Sequence, residues 1–253
     1  MSWRLHFLGV GGAQATALGS AAAVLEHGER PMLMIDCGAE ALTAYLARYG
    51  TPPRAVYLTH THFDHVAGME RWFFASHFDP GLRGEVRLYC HAGLVPWVQG
   101  RVADYPGVLA EGGVNYWDTV RLVPCSRGFW HEGHWFDVFP TRHHQPGTSF
   151  GLALAGSFVF TGDTRPVPEQ LGRFMTPGVL LAHDCALHGN PSHTGVDDLE
   201  REYPPEWRER MVLYHYGSEE EGRCLAGRGY RVALPGQSFP LQPPGSTPCT
   251  NPN

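Results

Sequence analysis

Thr59-His60-Thr61-His62-Phe63-Asp64-His65 is the stretch on which the reading of this chain turns. Three histidines and one aspartate fall within the six positions 60–65. Apolar Ala55-Val56-Tyr57-Leu58 comes immediately before and reads as a buried strand. Val66-Ala67-Gly68-Met69 follows and can open a helix, so a strand-to-helix corner is expected here. In an extended segment His60 and His62 point the same way. Once the chain turns, Asp64 and His65 can converge from another side. A lone buried histidine is ordinarily structural, but four such groups this close are hard to satisfy without a shared partner. Imidazole together with carboxylate suits zinc, manganese or iron.

Upstream, residues 3–8 read as a first strand, followed by Gly9-Val10-Gly11-Gly12. A glycine loop after a strand can cradle phosphate. This one lacks the P-loop lysine and the full dinucleotide spacing, which leaves a tight turn. Residues 20–25 and 32–35 form a strand pair joined through residues 26–30, and the second strand runs into Asp36. The amphipathic spacing of Leu42, Tyr45, Leu46 and Tyr49 predicts a helix over 39–49. Gly50 ends it, and Pro52-Pro53 prevent continuation.

Downstream, residues 69–78 are expected to be helical and rich in aromatic side chains. Residues 85–90 resemble a strand, and 95–110 a helix broken by glycine and proline. Trp97, Tyr105, Tyr116 and Trp117 either line a pocket or pack a core, and core packing is the more ordinary explanation. His131 and His134 suggest a peripheral metal site or, more plainly, a solvated loop. Residues 136–139 form a strand leading to Pro140-Thr141-Arg142-His143-His144. Residues 150–154 and 157–160 form a hairpin ending in Thr161-Gly162-Asp163-Thr164. Residues 179–182 run into His183-Asp184, and 211–214 into His215. Five apolar runs thus end in a ligand-capable side chain: Asp36, His60, Asp163, His183-Asp184 and His215. Parallel or mixed sheets collect functional groups at strand ends. With helices between the strands, the fold class is layered α/β.

The 253 residues suffice for one large domain or two small ones. The formal net charge is −6, and all nineteen cationic side chains are arginine. A lysine Schiff base is therefore excluded, and composition gives no support for a nucleic-acid surface. Cys37, Cys90, Cys125, Cys185, Cys224 and Cys249 form no Cys-x-x-Cys pair, so reduced thiols are expected. The first residues lack a leader pattern, and no run approaches transmembrane length, which points to a cytoplasmic protein without a membrane partner.

His-x-His-x-Asp-His at 60–65, a histidine at 143 or 144, Gly162-Asp163-Thr164 and His215 together resemble the metallo-β-lactamase superfamily along most of the chain. The resemblance implies a four-layer αββα sandwich over residues 1–253 as a single domain, with an irregular tail from about 241. It implies two metals, taken as Zn²⁺ with Mn²⁺ or iron as alternatives. His60 and His62 match ligands of the first metal, Asp64 and His65 ligands of the second. Asp163 matches the bridging carboxylate, His215 the last ligand of the second metal, and Asp36 an acidic residue that orients a ligand. His143 and His144 are adjacent, so only one easily points inward, and the family's Pro-x-x-His spacing favours His143.

A closer resemblance is to the ribonuclease Z and phosphodiesterase branch. That branch carries His-Glu-Ala-Thr and then His-Ser-Thr, where this chain has His183-Asp184-Cys185-Ala186 and His193-Thr194-Gly195. Asp184 stands where Glu is usual. By this resemblance His193, supported by Asp184, protonates the leaving oxygen, and Asp64 counts as catalytic as well as a ligand. Thr194 and Asp197 have the spacing of a capping box, which would set His193 just outside a helix N-terminus. Ribonuclease Z enzymes carry a long tRNA-gripping arm between the third-motif histidine and the bridging aspartate. Here 163 − 143 leaves 20 residues, room for a hairpin alone.

The implied chemistry is hydrolysis by a water bridging two metals about 3.5–4 Å apart. The leading expectation is a phosphodiesterase acting on a small nucleotide or related ester. Large nucleic acids are not expected as partners, and a homodimer is implied by analogy alone. Rival readings are a thioester, lactone or other carboxylic ester hydrolase, a di-iron oxidoreductase, a tRNA 3′-processing endonuclease and a metal-keeping sensor.

Overall fold

Half of the strands expected from the sequence belong to one sheet and half to a second, and each sheet is part antiparallel and part parallel. The computed structural model describes residues 2–104 and 107–245. The first sheet contains β1 (Trp3–Gly9), β2 (Ala22–His27), β3 (Arg30–Ile35), β4 (Ala55–Leu58), β5 (Val86–His91) and β6 (Val120–Cys125). The second contains β7 (Gly128–His131), β8 (His134–Pro140), β9 (Phe150–Leu154), β10 (Phe158–Phe160), β11 (Leu180–Asp184), β12 (Met211–Tyr214) and β13 (Arg231–Val232). The last strand, β14 (Ser238–Leu241), returns to the outer edge of β1. Leu241, near which an irregular tail is expected to begin, is thus the last residue of a strand, and residues 246–253 of that tail, with Cys249, lie outside the described residues.

Strand order is β14-β1-β2-β3-β4-β5-β6 in one sheet and β13-β12-β11-β10-β9-β8-β7 in the other. β1, β2 and β3 pair antiparallel, then β3 through β6 run parallel. The second sheet repeats the plan: β7 to β10 are antiparallel, β10 to β13 parallel. Parallel neighbours need crossovers, and helices supply them. Ala39–Tyr49 joins β3 to β4, Met69–His77 lies between β4 and β5, Val196–Glu202 between β11 and β12, and Glu219–Gly227 between β12 and β13. Strands β4, β9, β10, β11 and β12 are buried at every position, as expected for sheets covered on both faces.

Aromatic side chains join the inner faces. Phe7 of β1 approaches Phe160 and Tyr214, with ring centroids 6.5 and 5.8 Å away. Tyr89 of β5 stacks on Phe129 of β7 at 4.1 Å. The Tyr57 hydroxyl donates to the carbonyls of Phe150 and Gly151 across the interface. The result is the sandwich of the metallo-β-lactamase fold, helices outside and sheets within.

Local departures from expectation have physical causes. The turn between β2 and β3 is shorter than residues 26–30, because Glu26 lies inside β2 and Gly28 takes φ +67°. Glu26 is fully buried and accepts from Arg48 Nη2 at 2.9 Å and Tyr49 Oη at 2.6 Å, with Arg4 Nε 3.3 Å away. Those partners offset the desolvation of its charge and dock helix Ala39–Tyr49 against the sheet. Gly9-Val10-Gly11-Gly12 is a tight corner; a Cβ on Gly11 would lie 2.5 Å from the Ala15 carbonyl.

The helix expected over 95–110 is shorter. Val95–Val98 runs into a π-helical turn, Gln99–Ala103, and no helix follows from 107 until Tyr116–Thr119. Tyr105 lies outside the described residues. Tyr116 is core, packed on Phe73, and the Trp117 indole N–H donates to Gln99 Oε1.

His131 and His134 form neither a metal site nor a solvated loop: they pair across the β7–β8 hairpin. His131 is buried between the Tyr89 hydroxyl and the Met32 carbonyl. No helix among the described residues is long and apolar enough to cross a membrane.

Candidate metal centre

Asp36, His60, Asp163, Asp184 and His215 leave their strands at the carboxyl ends of β3, β4, β10, β11 and β12. The sandwich turns these ends toward one edge. Asp36 and His215 hold φ of +61° and +70°, a conformation that non-glycine residues seldom adopt. His215 is also pinned by its backbone N–H to the Val10 carbonyl, which explains why the glycine corner lies against it. A short helix, Phe63–Val66, begins directly after His62 and brings Asp64 and His65 round from the other side.

One group of donor atoms is made by His60, His62, His143 and Asp163. His62 Nδ1 lies 3.1 Å from His60 Nε2 and 3.1 Å from His143 Nε2. Asp163 Oδ2 is 3.6 Å from His60 Nε2 and 3.8 Å from His143 Nε2. A second group is made by Asp64, His65, Asp163 and His215. His65 Nε2 lies 3.3 Å from Asp64 Oδ2 and 3.4 Å from Asp163 Oδ1. His215 Nε2 lies 3.5 Å from Asp64 Oδ2 and 3.2 Å from Asp163 Oδ2. Asp163 thus belongs to both.

These atoms fit a metal centre. Ligands about 2.0–2.1 Å from a tetrahedral zinc stand about 3.3–3.4 Å from each other, close to the spacings seen. His65 Nε2, Asp163 Oδ1 and His215 Nε2 are buried with no hydrogen-bond partner, although all lie in the second group. Such orphaned atoms are costly unless something else binds them. Burial lowers the pKa of His60 well below the usual imidazole range, assisted by neighbouring His65, and pulls His62 down to about 4, assisted by His143. Neutral imidazoles with converging lone pairs repel one another unless a cation lies between them. Burial also opposes charge on His65 and His215, but Asp163 and the carboxylates of Asp36 and Asp184 outweigh it. The second group therefore calls for positive charge, as protons or as a cation.

The rings are held from behind. Asp36 Oδ2 accepts from His65 Nδ1 at 2.8 Å and from the Thr59 hydroxyl at 2.7 Å, and the same hydroxyl lies 3.0 Å from His60 Nδ1. His143 Nδ1 donates to the Ser192 carbonyl. Backing of this kind fixes tautomer and ring direction. Thr59 and Ser192 escaped the sequence reading. Thr59 stood beside the cluster and carried a usable signal; Ser192 acts through its carbonyl and carried none.

His143 is buried in the first group, whereas His144 is exposed at the rim, its φ +46°, its Nδ1 3.3 Å from the Ser192 hydroxyl. His183, also at a strand end, stays in the core against the Tyr203 hydroxyl and does not reach the site. Asp184 does: Oδ2 accepts from His193 Nδ1 at 2.9 Å and from the Thr164 backbone N–H, and Oδ1 faces His215 Nδ1 at 3.5 Å. The His193 ring stacks on His215 and borders His143, with centroids 4.9 and 4.8 Å away. Burial acts to lower its pKa, but the hydrogen bond and charge of Asp184 prevail and raise it.

The cap beside His193 differs from expectation. Gly195 is the N-cap and Asp198, not Asp197, accepts its backbone N–H. Thr194 instead donates its hydroxyl to the Thr164 carbonyl, tying the His193 loop to the Asp163 turn.

Gly162 sets how closely that turn approaches. It holds φ +64°, and a Cβ there would lie 2.9 Å from Thr59 Cβ. Gly162→Ala should therefore lower stability by about 1–3 kcal/mol and weaken metal retention roughly tenfold or more. Urea denaturation and elemental analysis after dialysis would check this; a variant equal to the parent in both would refute the close-approach explanation.

Comparison with known proteins places this site in a family. A family model described as Anti-Pycsar protein Apyc1 matches residues 3–233. The Anti-Pycsar protein Apyc1 of Paenibacillus xerothermodurans is 28% identical over 234 residues, covering 87% of this chain and 90% of that protein. Ribonuclease Z of Haloferax volcanii is 33% identical over 106 residues, covering 37% of this chain and 33% of that enzyme. The crystal structure of the metallo-β-lactamase fold protein YhfI from Bacillus subtilis superposes with a TM-score of 0.74 at 15% identity, covering 95% of this chain and 100% of that one. The chain therefore belongs to the Anti-Pycsar protein Apyc1 family and is an enzyme with the metallo-β-lactamase fold.

Proposed function

We propose that the chain is a phosphodiesterase of small cyclic nucleotides that works with two divalent cations, zinc in the first instance. The carrying observation is the pair of donor groups that share Asp163, flanked by the His193–Asp184 pair. His60, His62, His143 and Asp163 would hold one cation, and Asp64, His65, Asp163 and His215 the other. Bound there, the cations would supply Lewis acidity toward the phosphoryl oxygens and toward water. Asp36 and Thr59 keep the His60 and His65 rings aimed. Asp184 fixes His193 through Nδ1, which leaves Nε2 to pass a proton to the departing oxygen.

A cyclic nucleotide as substrate is supported by the family: its Anti-Pycsar members are associated with cyclic-nucleotide degradation. A small substrate also agrees with the connection between His143 and Asp163. Its regular elements are the strands of the β9–β10 hairpin, Phe150–Leu154 and Phe158–Phe160, with no arm to grip an RNA.

The test is a metal-defined activity screen of the purified protein. Cyclic nucleotides should be turned over well above a thioester, a lactone and precursor tRNA, with two metals per chain by elemental analysis. Preference for the thioester or lactone would overturn the substrate class, site-specific tRNA 3′ cleavage the size argument, and no more than one metal after reconstitution with excess zinc the dinuclear reading.

A further inference from the structure

Beside the donor atoms the site opens into a pocket of about 140 Å³ that continues from His62 and His143 onto Trp97, Arg101, Gln145 and Thr148. Trp97 and Arg101 are four residues apart and so lie on one helix face. Between them the helix changes from α to π, over Gln99–Ala103. Isolated π turns recur at functional sites. Trp97 is 43% exposed, an unusual position for an indole that no core requires.

That indole is nevertheless held in place. The Arg101 guanidinium carbon lies 5.5 Å from its ring centroid, within the range of a cation–π contact. Arg101 Nη1 in turn donates to the Thr61 carbonyl at 2.8 Å. Thr61 stands between His60 and His62, so the arginine ties the aromatic ring to the loop that carries two candidate ligands. The same helix is braced by Gln99, which accepts from Trp117. An exposed aromatic face, locked beside a phosphodiester site, has the properties of a stacking surface.

We propose that Trp97, clamped by Arg101, is the platform on which the nucleobase of a cyclic nucleotide stacks while its phosphate lies by His62 and His143. This subsite rests on the cyclic-nucleotide reading above and extends it to the base. Every base offers a π face, so the platform tolerates different bases. Gln145 and Thr148 offer polar atoms to the base edge and can supply a modest preference among them. Among the described residues lining the pocket, Arg101 is the one permanently cationic side chain, and it adds attraction for an anionic substrate.

The test compares metal-loaded parent, Trp97→Ala and Trp97→Phe. The substrates are adenosine 3′,5′-cyclic monophosphate and the methyl glycoside of ribose 3′,5′-cyclic phosphate, which has the diester but no base. Titration calorimetry with the phosphorothioate analogue of the nucleotide gives binding without turnover. For the nucleotide, Trp97→Ala should raise KM and the analogue's Kd about 5- to 100-fold, the range of a lost base–aromatic stack. The loss on the base-free diester should be at least about fivefold smaller, and Trp97→Phe should recover most of the nucleotide binding. Metal content and melting temperature should match the parent. Equal losses on both substrates, or a parent that does not distinguish them, would overturn the platform. A parent that hydrolyses neither diester but does hydrolyse a thioester would instead defeat the functional reading. The analogue then decides the platform separately: it stands if the parent binds the analogue and Trp97→Ala does not, and falls otherwise.

Discussion

Replacing Asp163 with Asn should cut turnover by at least about 10³-fold while leaving a folded protein, because this side chain belongs to both donor groups. Its Oδ2 lies 3.6 Å from His60 Nε2 and 3.2 Å from His215 Nε2, and its Oδ1 lies 3.4 Å from His65 Nε2. An amide of the same shape removes the negative charge and turns one acceptor into an N–H donor. Neither change is tolerable to a cation. The surrounding imidazoles feel the loss as well: Asp163 is the leading favourable influence on the protons of His65 and His215, against the burial that opposes them.

Elemental analysis separates this effect from a general disturbance. Asp163→Asn should lower retained metal at both groups. Asp64→Asn touches the second group alone and should lower retained metal by about half, since Asp64 has no place among His60, His62 and His143. Full metal content in Asp163→Asn, with activity within tenfold of the parent, would show that the carboxylate is not shared and that the site is built differently.

Why these residues could be found in the sequence, and others not, follows from how each is positioned. His60, His62, Asp64 and His65 are local: a strand, the four residues 59–62 that extend it and a single helical turn bring them together, and the spacing alone implies that. Asp163, His143 and His215 are distant in the chain. They became legible only because apolar strands precede them and a family resemblance assigns them places.

Where environment rather than pattern decides, the sequence misled. His183 ends an apolar run as Asp163 does, yet the alternation of β11 turns it into the core toward Tyr203 while Asp184 faces the site. His131 and His134 looked solvated because Gly133 and two tryptophans break the pattern, but a hairpin absorbs that break and buries His131. The segment 95–110 gave a helical pattern, and no local rule announced its π turn or the place of Trp97 in the pocket beside the candidate ligands His62 and His143.

His193→Ala should separate proton donation from metal binding. The residue stands at the junction of the two donor groups, stacked on His215 and bordering His143, yet its Nδ1 is spent on Asp184 at 2.9 Å. A ring committed in this way is fixed in tautomer, and its Nε2 is the atom that can hand over a proton. The ribose oxygen leaving a cyclic nucleotide is strongly basic and departs poorly without that proton. p-Nitrophenolate departs without help. The variant should therefore lose about 10²- to 10⁴-fold in kcat/KM on a cyclic nucleotide and far less on bis-p-nitrophenyl phosphate. Metal content should be unchanged, since His193 belongs to neither donor group that contains Asp163. A series of aryl esters would sharpen the result: the dependence of rate on leaving-group pKa should steepen in the variant, as expected when an acid is removed from the transition state. Equal losses on good and poor leaving groups, with metals retained, would take the acid role from His193. Loss of metal would make it a ligand, and the grouping of Asp184, His193 and His215 would then have to be read as a metal site rather than as a proton-donating pair resting on one.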